Sequence, residues 1–146
     1  MTMAFGITYM RGITNMATRA LYVFKDALDT FIVYKHWDGY PETNGAYGFI
    51  SESIPYAWEL PRFEAADFAT AFIAGNKKEG GGDIYMTNGD TTNGDAMGIE
   101  YIYTVTGEKD SIRIKTQYLW EDRMLPDVII TKDRSIVFEE NEYAEA

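Results

Sequence analysis

The chain has 146 residues, of which 46% are apolar and 15% aromatic, enough to fill the core of one domain and too apolar for global disorder. Thirteen basic residues against twenty-three acidic ones give a net charge of −10, which opposes binding to a nucleic-acid backbone but not to a small anion held in a local pocket. With no cysteine and no apolar run of membrane-span length, disulfides and thiolate metal sites are excluded and a soluble protein of a reducing cytoplasm is expected, with no cofactor and no metal site.

Residues 1–15 read as an N-terminal arm or extension. They have no basic leader, and Phe5, Ile7 and Tyr9 alternate as an added edge strand would, pairing within the chain or with a neighbouring copy. Met16 is an alternative start, so a chain beginning there is expected to fold. Residues 16–138 are expected to form a single α+β domain, and 139–146 a solvated acidic tail.

Residues 18–25 and 30–36 are rich in β-branched and aromatic side chains and predict an antiparallel hairpin around residues 26–29. Asp38-Gly39 and Pro41 then break the second strand, leaving the only histidine, His36, beside Trp37 at its end. An imidazole, an indole N–H and the carboxylates of Asp38 and Glu42 lie within seven residues. Hairpin geometry brings Arg19 beside His36, where its guanidinium could clamp a carboxylate or phosphate, or pair with Asp38 or Glu42. The expected ligand-binding set is therefore Arg19, His36, Trp37, Asp38 and Tyr40. Were the protein an enzyme, His36 would act as general base with Asp38 or Glu42 as its orienter. The alternative is structural: Trp37 and Tyr40 plug the end of a core, and Asp38 hydrogen-bonds its own turn.

The run Met16-Ala17-Thr18-Arg19-Ala20, a short hairpin, then His36-Trp37-Asp38-Gly39-Tyr40-Pro41 with Asn44-Gly45 resembles a family of small uncharacterised phage and prophage proteins. The resemblance is specific over residues 16–45, looser at 83–85 and 100–118, and covers about half the chain. It implies phage origin, a host-cell cytoplasm and importance of the turn, but no reaction. The fifteen-residue extension and the long segment after Tyr118 depart from the family pattern.

Further along, residues 45–53 suggest a short helix, and 54–61 a proline-bounded loop with Tyr56 and Trp58. Residues 62–74 are the clearest helix, with Pro61 at its first turn, a face of Phe63, Ala66, Ala69 or Thr70 and Ile73, broadened by Phe68 and Phe72, and Gly75-Asn76 as a left-handed cap. Residues 77–82 contain three glycines but lack the order of a phosphate loop, so a mobile linker is the expectation. A strand at 83–87 precedes two Asn-Gly-Asp repeats, which read as tandem turns rather than a calcium loop. Residues 99–106 and 111–118 predict a second hairpin with one apolar and one polar face, and 128–131 with 135–138 a third.

The order of elements predicts an α+β fold: a mostly antiparallel sheet of hairpins with one main helix on one face. The expected function is that of an accessory protein that binds a small anionic, nucleotide-like ligand or a host protein without catalysis. A self-assembling or virion-associated protein, homo-oligomeric through the arm or sheet edges, is the second reading. A small hydrolase using His36 is the third.

Overall fold

The computed structural model describes residues 17–78, 80–88 and 98–139. The expectations for the arm, for the two Asn-Gly-Asp turns and for nearly all of the acidic tail lie outside these residues.

Among these residues eight strands form one sheet. In chain order the elements are β1 (Arg19–Lys25), β2 (Thr30–Lys35), α1 (Ala46–Ser53), a 3-10 turn (Ile54–Tyr56), α2 (Ala65–Asn76), β3 (Ile84–Thr87), β4 (Ile99–Gly107), β5 (Ser111–Tyr118), β6 (Arg123–Met124), β7 (Val128–Thr131) and β8 (Ile136–Phe138). Across the sheet the order is β3-β2-β1-β4-β5-β7-β8, with β6 paired to β5. The fold is mixed α and β with a mostly antiparallel sheet, and the three predicted hairpins are present. One pair is parallel: β1 runs alongside β4, from Arg19 opposite Ile99 to Phe24 opposite Val105.

Two helices, not one, lie against the main core. Phe68 and Phe72 of α2 meet the rings of Tyr22 and Phe24 on β1. Tyr47 of α1 meets Tyr103 edge-on, and its hydroxyl hydrogen-bonds Thr116 Oγ1 at 2.7 Å. Each helix thus covers apolar side chains that neither sheet nor helix could bury alone.

Helix α2 departs from expectation at both ends. It begins at Ala65 because a residue distant in sequence caps it: Asp26 Oδ2 accepts the Ala65 N–H at 2.7 Å. The Asp26 carboxylate also accepts the Leu28 and Asp29 N–H groups, and these three bonds lower its proton affinity. At the far end Gly75 and Asn76 remain helical instead of forming a left-handed cap, and Asn76 Nδ2 donates to the Phe72 carbonyl. The buried face is Ala65, Phe68, Ala69, Ala71, Phe72 and Asn76, whereas Ala66 and Thr70 are exposed.

The second face of the sheet is not simply polar. Leu21, Val23, Tyr34, Ile99 and Ile102 form a second buried cluster there. An irregularity in the β1/β4 register between Arg19 and Ala20 puts Ile99 with Ile102 rather than with Tyr101 and Tyr103.

Candidate functional site

The predicted turn leaves the sheet at the end of β2. Asp38 takes a left-handed backbone, with φ of 59°, a conformation that Asp tolerates better than most residues. Gly39 follows, its N–H donating to the Thr18 carbonyl at 2.8 Å. A Cβ on Gly39 would lie 2.7 Å from Ala20 Cβ and 2.8 Å from the Thr18 oxygen, so only glycine lets the turn lie this close to β1. The buried Tyr103 hydroxyl donates to the Gly39 carbonyl and pins the turn from below.

A cavity of about 830 Å³ opens beside this turn. Lys35, His36, Trp37 and Asp38 form one wall, Phe49 and Asn76 of the two helices another, and Lys78, the glycines 80–82 and Asp83 the third. The His36 N–H donates to the Asp83 carbonyl at 2.8 Å, which ties the first wall to the third. Three of the five expected ligand residues thus line one cavity. Arg19 and Tyr40 do not line it, nor does Glu42.

Among the described residues Arg19 pairs with neither Asp38 nor Glu42; it packs on Gly98, where a Cβ would come within 2.9 Å of its guanidinium, and its charge acts on Tyr34 and His36. Tyr34 Oη in turn lies 2.7 Å from His36 Nδ1. Burial lowers the proton affinity of His36, and the Arg19 charge adds to this, against the opposing effect of Asp83. Tyr40 stays with the turn, its ring against Gly45 and its hydroxyl donating to the Asn44 carbonyl at 3.4 Å.

Comparison with family models, with curated proteins and with solved structures finds no match to this chain. The site therefore rests on its own geometry.

Two contributors were not singled out from the sequence. Lys35 is only 6% exposed. Its Nζ donates to the Trp37 carbonyl at 3.1 Å and sits 4.1 Å from the centroid of the Phe49 ring. Strand parity carried the signal, since Phe31, Val33 and Lys35 share the core-facing side of β2. The glycine segment, expected as a linker, supplies a cavity wall, and nothing lies within 4 Å of where side chains on Gly80 or Gly81 would begin. Among the described residues no group of three or more His, Asp and Glu is disposed to hold a metal ion, and no helix is long and apolar enough to cross a membrane.

Proposed function

We propose that this cavity binds a small, flat, anionic ligand of nucleotide-like chemistry, without catalysis by the protein in this step. The observation that carries the reading is a pair of lysines, Lys35 and Lys78, that face the cavity without an ion-pair partner among the described residues, in a chain of net charge −10. Unpaired ammonium groups beside open glycine backbone suit a phosphate or carboxylate. The Trp37 ring, 45% exposed and edge-on to His36 at 4.6 Å, offers a stacking surface. Asp38 and Asp83 on the same walls suit the amino edge of a heterocycle. His36, held by the Tyr34 hydroxyl at Nδ1, adds an imidazole to the same wall.

The test is thermal stabilisation by nucleoside monophosphates and by inorganic phosphate, since a ligand that binds only the folded state raises the melting temperature by mass action. A concentration-dependent rise that disappears in Lys35→Met and Lys78→Ala is the expected result. No rise with any nucleotide at millimolar concentration would retire the reading.

A second reading is assembly. Among the described residues β8 ends one side of the sheet with exposed Val137 and Phe138, and an apolar edge strand of this kind favours pairing between copies. Light scattering across a dilution series decides it, a constant monomer mass counting against assembly. The phage-type role and host-cell setting that the resemblance implies belong to the same proposal.

A further inference from the structure

We propose that Lys35 is a nucleophilic amine that condenses with a flat anionic aldehyde or ketone held in the cavity; this rests on the anion-binding reading above and adds a covalent step to it. The argument begins with what a buried lysine ordinarily requires. An ammonium removed from water is normally matched by a carboxylate at ion-pair distance. Lys115, although exposed, is paired with Asp127 at 3.0 Å. Lys25, Lys109 and Lys132 remain in solvent. Lys35 does neither: it is buried, has no ion pair among the described residues, and holds its Nζ with one backbone carbonyl and the face of Phe49.

The surroundings ease loss of a proton from the ammonium. Burial lowers the proton affinity of Lys35, and the charge of Lys78 acts in the same direction, while Asp83 and Asp38 oppose them. His36 on the same wall is itself shifted towards its neutral form. Lysines made reactive by desolvation next to another cation are a recurring way to reach carbonyl compounds. The Trp37 carbonyl accepts one Nζ proton, and the amine lines a cavity large enough for an aromatic ring bearing a phosphate.

The step balances without another reactant. The Nζ lone pair forms a C–N bond to the carbonyl carbon. The carbonyl oxygen takes up the two protons that the neutral amine loses, and it leaves as water, giving an imine. Nothing is oxidised or reduced. Lys78 and the glycine backbone hold the anionic group of the same molecule.

The experiment uses the full chain and two probes that differ in one group. Pyridoxal 5′-phosphate carries an aldehyde, and pyridoxine 5′-phosphate carries an alcohol in its place. The protein is incubated with the aldehyde, reduced with cyanoborohydride, and its intact mass and peptide map are measured. One adduct per chain, on Lys35, is expected. In Lys35→Arg, which keeps the charge but cannot form the imine, the adduct should be lost while the melting profile is retained; Lys35→Met serves as the second variant if arginine does not fit. Labelling spread over exposed lysines, or an unmodified Lys35, would overturn the proposal. Binding of pyridoxine 5′-phosphate with no imine on Lys35 would leave the anion-binding reading standing alone. Binding of neither probe would remove both.

Discussion

The two ends of the sheet treat charge in opposite ways. At the end where β1 turns into β2, the charged groups are occupied by structure. Asp26 accepts three backbone N–H groups and starts α2. On the neighbouring strands Arg113 bonds Glu108, Asp127 and Glu139 at 2.7 to 3.1 Å, and these partners hold its proton affinity well above the ordinary value. At the cavity end Lys35 and Lys78 have no such partners among the described residues, and His36 is held by a tyrosine rather than a carboxylate. Groups that hold the fold are matched by complementary partners, whereas groups left unmatched beside a cavity retain their capacity for a ligand.

This contrast can be broken experimentally. The largest stability loss is expected for Gly39→Val, which forces a side chain onto Thr18 and Ala20; overpacking of this kind costs about 1–3 kcal/mol. Urea unfolding should show that loss, and ligand stabilisation should vanish with it as the turn lifts. Arg113→Ala should cost less than about 1 kcal/mol, because the side chain is 26% exposed and solvent screens its pairs. Ligand stabilisation should be unchanged, and a lost ligand shift would mean that the two ends are not independent.

Asp26→Asn sharpens the comparison through pH. The folded carboxyl titrates below 3.8, so its contribution is present above that value and fades as pH falls through the lower, folded one. Acid unfolding of the wild type should therefore be steeper in that window than that of the variant. Lys35→Met should leave stability unchanged or slightly raised, since a desolvated, unpaired ammonium is replaced by an apolar chain, while ligand stabilisation disappears. The smallest effect belongs to His36. Its folded proton affinity is lowered, so the unfolded chain binds more protons just below pH 6.5 and the fold weakens as pH falls from 7 towards 5. That slope should diminish in His36→Gln and partly in Arg19→Ala, measured by melting temperature against pH.

Local patterns were legible in the sequence and distant ones were not. β-Branched and aromatic content in residues 18–25 and 30–36 and alternation in 99–106 and 111–118 marked the hairpins, and the Asp38-Gly39 break marked the turn. The start of α2 was misplaced because its cap, Asp26, comes from another element. The hairpin of 99–118 keeps Arg113, Lys115 and Gln117 out of the core, but β1, flanked on both sides, carries apolar side chains on both faces, which was not foreseen. Register puts Arg19 at the start of β1 beside the end of β2, where its charge acts on Tyr34 and His36, whereas the sequence reading turned to the acidic residues. Lys35 was missed because a lysine at a strand end ordinarily reads as solvent-facing, although its parity with Val33 pointed inward.

The parallel pairing of β1 with β4 also has a consequence in time. β1 finds its first neighbour, β2, within a few residues, but its second edge waits for partners as distant as Ile99 is from Arg19. During synthesis the ribosome releases β1, β2 and both helices before β4 exists. Through that interval the backbone edge of β1, with Leu21 and Val23 beside it, stays open to any other strand it meets. Closure of the sheet is therefore a late, non-local event, and the nascent chain is most prone to aggregation just before β4 emerges.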